Sequence, residues 1–135
     1  MIRFFQKQIF QFAVVGSIGF VVDAVLLTVL MSHFLWSAYS ARLISFAFAV
    51  SATWYLNRNW TFRHAKTRQV SREYSGYFAV QSLGALINYG VFSLCIFLSP
   101  IMLGYPVLPL AIGSGVALFF NYFGAKHIAF RGSSG

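Results

Sequence analysis

The sequence predicts an all-α integral membrane protein, a four-helix bundle of two repeated helical hairpins with both termini on the cytoplasmic side. Three observations predict it. Of 135 residues, 59% are hydrophobic and only 9% are charged, against about 25% charged in an ordinary soluble domain. The apolar residues fall into four long runs, each near the roughly 20 residues that a membrane helix needs. Nine of the ten Lys and Arg residues flank these runs at places that share one side of a four-span chain. A soluble chain of this size has too little interior to hide so much apolar surface, so lipid must be part of its solvent.

The runs extend from about Ile9 to His33, Tyr39 to Leu56, Tyr74 to Leu98 and Pro106 to Ala125. They form one domain over residues 1–131. The first is too long for a signal-peptide core and has no small-residue cleavage site after it, which makes it a retained helix. The first connection is short, Phe34 to Ala38. So is the third, Ser99 to Tyr105, with Pro100 and Gly104 as turn residues. Short connections make antiparallel helical hairpins. The middle connection, Asn57 to Glu73, holds Arg58, Arg63, Lys66, Arg68 and Arg72. It reads as a cytoplasmic loop with room for a short surface helix. Arg3 and Lys7 precede the first run, and Lys126 and Arg131 follow the fourth. Lys and Arg are retained in cytoplasmic loops, which sets the orientation. Trp36, Tyr39 and Tyr105 decorate the outer ends, and Trp54, Trp60, Tyr74 and Tyr77 the inner ones, as in interfacial aromatic belts. Gly132-Ser133-Ser134-Gly135 reads as either a tail or an expression scar.

The net charge of +8 is therefore a topological signal and does not point to nucleic acid. No phosphate-binding Gly-x-x-x-x-Gly-Lys loop is present, so no ATP drive is expected. His33, His64 and His127 are scattered without companion ligands, and no metal or other cofactor is implied. With two acidic residues, Asp23 and Glu73, paired-carboxylate chemistry is out of reach. An enzyme is not expected.

The two hairpins resemble each other. Phe12-Ala13-Val14 leads to Gly19-Phe20-Val21-Val22-Asp23, and Phe78-Ala79-Val80 leads to Gly84-Ala85-Leu86-Ile87-Asn88. The second helices end in Arg58-Asn59-Trp60-Thr61-Phe62-Arg63 and Lys126-His127-Ile128-Ala129-Phe130-Arg131. Each unit holds two spans, so both enter the membrane in the same direction. That is a parallel repeat, an arrangement known among transporters.

The Gly-x-x-x-Asp of the first helix, Asn57-Arg58-Asn59-Trp60-Thr61-Phe62 and Phe130-Arg131 resemble the GtrA-like family, from about Phe5 to Arg131. One departure is Ile128, where the family more often has Trp. The resemblance implies a small bacterial inner-membrane protein that moves a polyprenyl-phosphate-linked sugar, typically undecaprenyl-phosphate glucose, across the membrane for polysaccharide modification.

Asp23 is the acidic residue inside a span, roughly 13 Å from the outer end of its helix at 1.5 Å per residue. A carboxylate there costs about 2.5–3.5 kcal/mol on insertion scales and must be paired, hydrated or protonated. Gly16, Gly19 and Asp23 share a helix face, which suits either a glycine packing seam or a polar site. Arg42, just inside the outer end of the second helix, is within reach. It either snorkels to the interface, pairs with Asp23, or attracts a phosphate, since a guanidinium fork fits phosphate oxygens. Gln81, Gly84 and Asn88 form the equivalent face of the third helix, and Ser114, Ala117 and Asn121 that of the fourth. These stripes suit interhelical packing and hydrogen bonding as well as a groove for sugar hydroxyls. The inner rim is Asn57, Arg58, Asn59, Trp60 and Arg63, echoed by Lys126 and Arg131. It fits both topological retention beside anionic lipid and collection of a lipid phosphate.

The leading expectation is thus a flippase whose headgroup route holds Asp23, Arg42, Gln81, Asn88 and Asn121. Four short helices offer little interior, so a homo-oligomer, a dimer in the first instance, is expected. Two other classes fit: a proton-coupled exporter of small cations built on Asp23, and a non-transporting membrane subunit that anchors a glycosyltransferase.

Overall fold

The computed structural model describes residues 2–104 and 107–131. Tyr105, the expected Pro106 start of the fourth helix and the 132–135 tail lie outside the described residues. Four long helices follow one another, α1 (Ile2–Ser32), α2 (Ala38–Leu56), α3 (Val70–Leu98) and α4 (Val107–Gly124). No strand occurs among the described residues.

Two helices begin earlier than the apolar runs suggest. α1 starts at Ile2 and not near Ile9, because Arg3, Gln6, Lys7 and Gln8 are good helix formers that hydropathy does not register. α3 starts at Val70 and not at Tyr74, with Glu73 in its first turn, where a carboxylate favours the helix dipole. The helices also run on at their far ends. Asn57–Thr61 and Ala125–Ala129 continue α2 and α4 as single wide π-helical turns. The expected loop from Asn57 is therefore helical up to Thr61. Leu35, at φ 56°, stops α1 in the left-handed region. The Ser37 hydroxyl then starts α2 by accepting from the Ser40 N–H at 3.3 Å.

Among the described residues, three helices are long and apolar enough to cross a membrane, over Ile2–Ser32, Val70–Leu98 and Leu108–Ala129. α2 is not among them, although the apolar runs predict four spans. Its 19 residues would span about 28 Å at 1.5 Å per residue, so the shortfall is one of polarity. Arg42, Ser40, Ser45, Ser51 and Thr53 lower its apolar average. The outward faces elsewhere are strongly apolar. Phe20, Leu43, Leu86 and Phe97 are each more than two-thirds exposed, an arrangement water would penalise and lipid would not.

The chain divides into two compact units, Met1–Val70 with Phe130–Gly135, and Ser71–Ala129. Inside each, one pattern of buried residues recurs. α1 buries Gln8, Phe12, Val15 and Gly19, and α3 buries Glu73, Tyr77, Val80 and Gly84 at the same spacing. α2 buries Ala41, Ser45 and Ala49 before its π-turn; α4 buries Pro109, Gly113 and Ala117 before its own. The repeat is thus present as local structure. Its register differs by one position from the Phe-Ala-Val match in the sequence. Phe12 corresponds to Tyr77 and not Phe78, because the two side chains must share the inward face.

The hairpins are closed by the same contact. A Cβ built on Gly19 would collide with Thr53 Cγ2, and one built on Gly84 would collide with Asn121 Oδ1. Thr53 and Asn121 stand one turn before their respective π-turns, so each glycine admits the facing side chain at the same level. Gly16 has open space instead. Gly19→Ala and Gly84→Ala are expected to lose about 1–3 kcal/mol of stability through overpacking. Gly16→Ala should leave it unchanged or slightly raised, as Ala is the better helix former. Thermal unfolding in detergent separates the two outcomes, and equal losses at all three glycines would contradict the packing account.

Candidate functional site

The first hairpin brings Asp23 and Arg42 together. The Gly19–Thr53 contact draws α1 and α2 close, and Asp23 follows Gly19 by one turn on the same face. Arg42 Nη1 donates to Asp23 Oδ2 at 2.5 Å. The two partners differ in burial, the carboxylate side chain being 15% exposed and the guanidinium 58%. Asp23 Oδ1 is buried and has no hydrogen-bond partner among the described residues. The pair therefore neutralises the aspartate yet leaves one carboxylate lone-pair site and most of a guanidinium fork uncommitted. Phosphate oxygens can accept from the second, whereas the first, being buried, takes a donor only where the neighbouring side chains move aside.

In the second hairpin the counterparts of this pair are Asn88 and Leu110. Asn88 packs against Gly113, whose built Cβ would lie 2.5 Å from Asn88 Oδ1 and 2.8 Å from its backbone oxygen. Asn121 occupies the space left by Gly84. Both amides are therefore packing groups within this hairpin, in line with the small-residue alternative. Polar capacity nonetheless remains, since Gln81 Nε2 and Asn121 Oδ1 are buried without partners among the described residues.

At the other end of the first hairpin the π-turn after α2 organises the basic residues. Asn57 is buried, and its Oδ1 accepts from the Thr61 hydroxyl at 2.7 Å. Gln8 Nε2 donates to the Thr61 carbonyl at 3.3 Å, which fastens α1 to the turn. Arg58 donates to the Thr67 carbonyl at 3.1 Å and lies 5.9 Å over the Trp54 ring. Lys126 repeats that second contact in its own hairpin, 5.7 Å over Tyr122. Asn59 bonds back to the Tyr55 carbonyl. Trp60 and Arg63 instead line a cleft of about 540 Å³ with Lys7, His64, Gln8, Gln11, Thr61, Phe4 and Phe10.

Over residues 11–131 the sequence matches the family model described as the GtrA/DPMS transmembrane domain. The chain belongs to that family. No relative among curated proteins matches it. Membership makes it a membrane protein and ties it to the membrane chemistry of polyprenyl-phosphate-linked sugars.

Within this GtrA/DPMS domain the expected site residues fall into separate groups. Asp23 and Arg42 meet in the first unit, while Gln81, Asn88 and Asn121 belong to the second. Of the inner-rim residues, Trp60 and Arg63 face the cleft. Asn57 is taken up by the turn itself, Arg58 and Lys126 rest on aromatic rings, and Arg131 is exposed. Sequence reasoning missed Lys7, Gln8, Gln11 and His64. A signal for the first three existed, since their spacings of three and four place them on one helix face. Nothing in the sequence announced that the π-turn would present His64 to that face.

Proposed function

We propose that this GtrA/DPMS protein flips a polyprenyl-phosphate-linked sugar, such as undecaprenyl-phosphate glucose, across a bacterial inner membrane for cell-surface polysaccharide glycosylation. The observation that carries the reading is the half-committed Asp23–Arg42 pair. A structural salt bridge in an apolar helix hairpin offsets the desolvation of its charges only when their remaining lone pairs and protons are also hydrogen-bonded. Here the guanidinium is open and one carboxylate oxygen has no partner among the described residues. That suits a cargo with both phosphate oxygens and sugar hydroxyls.

In this reading the chain crosses four times with both termini cytoplasmic, and α2 crosses despite Arg42 because Asp23 neutralises it. Basic residues of the inner rim, Arg63 foremost, hold the phosphate at the cytoplasmic face. Sugar hydroxyls meet polar groups within a hairpin, Asp23 and Arg42 in the first and the unpartnered Gln81 and Asn121 amides in the second, while the prenyl tail stays in lipid. The protein performs no bond chemistry itself. It works as a homo-oligomer, a dimer in the simplest case, beside the glycosyltransferase that consumes the lipid-linked sugar.

Liposomes containing the purified protein and a fluorescent polyprenyl-phosphate glucose test this. Quenching of outer-leaflet label should reach well beyond the half that protein-free liposomes allow. A chain that leaves the inner-leaflet pool protected, yet co-purifies with a glycosyltransferase, is an anchoring subunit and the transport reading fails.

A further inference from the structure

The two hairpins share their backbone pattern, and they differ in what its inner end leaves open. In the second hairpin a Cβ on Gly76 would lie 3.6 Å from Ile128 Cγ2 and 3.8 Å from the Ala129 Cα. These are ordinary van der Waals contacts, so helix and π-turn pack directly on each other. The counterparts in the first hairpin are Gln11 for Gly76 and Trp60 for Ile128. Both are large, and both line the cleft of about 540 Å³. The charge differs as well. Gln8 stands where the second hairpin has Glu73, so the first end carries Lys7, Arg63 and His64 around a neutral amide and has no acidic residue in its lining.

We propose that this cleft is a binding site for a phosphate monoester carried on an apolar chain, one site per polypeptide, on the first hairpin alone. It rests on the lipid-phosphate reading above, whose cargo is a phosphodiester, and assigns a location and a stoichiometry to the sugar-free prenyl phosphate of the same lipid. Lys7 and Arg63 supply the charge-assisted contacts that fix a phosphate. Phe4, Phe10 and the half-exposed Trp60 ring accept the first carbons of the chain, so neither the phosphate nor the chain alone fills the cleft. The second hairpin is the internal control, having the same turn with Gly76 and Ile128 in contact where Gln11 and Trp60 line the cleft.

Native mass spectrometry of the detergent-solubilised protein with farnesyl phosphate, farnesol or inorganic phosphate tests the assignment without requiring transport. One farnesyl phosphate should bind per chain, displaced poorly by the alcohol and by inorganic phosphate. Lys7→Gln combined with Arg63→Gln should weaken binding at least about tenfold, the scale of one charge-assisted contact. Lys7→Arg with Arg63→Lys should keep it, which separates loss of charge from loss of fold. Trp60→Ile, which installs the residue of the second hairpin, should also weaken it, while Arg72→Gln, at the second-hairpin counterpart of Lys7, should not. Two ligands per chain, equal loss from the second-hairpin variant, or inorganic phosphate binding as well as the prenyl ester would each overturn the proposal. Flipping by the wild-type protein in liposomes would then still stand, because that assay does not depend on where the phosphate rests.

Discussion

Arg42→Leu alone should cost the protein roughly 2–3 kcal/mol of stability, and adding Asp23→Asn should restore most of it without restoring transport. The single change leaves a carboxylate that is only 15% exposed without its counter-ion. A charged carboxylate at membrane depth costs about 2.5–3.5 kcal/mol. The double variant reproduces a pair the chain already holds, since the second hairpin has Asn88 and Leu110 at the corresponding positions. Leu110 is also exposed, as Arg42 is, so the leucine meets the surroundings its counterpart tolerates. Asparagine keeps the shape of aspartate and removes its charge. The flipping rate of the double variant should nevertheless fall at least about tenfold, because the phosphate loses its fork and the hydroxyl loses its carboxylate acceptor. Unfolding in detergent and flipping in liposomes, measured on the same preparations, separate the two effects. If the double variant flips at the wild-type rate, the pair is only a structural bridge and the headgroup route runs elsewhere.

This ion pair was legible in the sequence because each partner stands out. Asp23 and Arg42 are charges inside otherwise apolar runs, and a short connection joins those runs. The helices were legible for the same reason, since long apolar segments outweigh every local detail. Their polar beginnings were not, because Arg3, Lys7 and Gln8 favour helix without contributing hydropathy. The π-turns were also hidden. Asn57-Arg58-Asn59-Trp60-Thr61 has the composition of a surface loop, and its helical state depends on contacts from elsewhere, such as Gln8 reaching the Thr61 carbonyl. The cleft depends on that turn, so its lining could not be assembled from spacing alone. The repeat shows the converse. Its existence was visible in the recurring Gly-x-x-x-Asp/Asn and Phe-Arg, but its register needed burial to fix it, because Phe12 and Tyr77 are equivalent by position and unequal by identity.

The recurring Phe-Arg ending has a structural reason, and Phe62→Ala should cost more stability than Arg42→Leu or a filled glycine seam, about 3–5 kcal/mol. Phe62 is 1% exposed. Its ring stacks on Phe130 with centroids 4.9 Å apart and planes at 14°, and it meets the edge of Phe12 at 6.1 Å. Phe12 and Phe130 are buried too, so the truncation opens a cavity with little around it free to collapse. Phe10→Ala, on an exposed face of the same helix as Phe12, should change little. A double-mutant cycle between Phe62 and Phe130 should return a coupling of about 0.5–1.5 kcal/mol beyond the burial each loses, the range for well-placed ring pairs. The consequence reaches the cleft, since Phe62 lies between Thr61 and Arg63 and directly follows the turn that presents Trp60. Phe62→Leu keeps most of the buried volume and should hold the turn in place. Prenyl-phosphate binding should therefore follow the order wild type, Phe62→Leu, Phe62→Ala, in step with unfolding temperature. Binding that survives Phe62→Ala at full strength would mean that the turn is positioned without the aromatic stack, and that the repeated phenylalanine serves the helix packing alone.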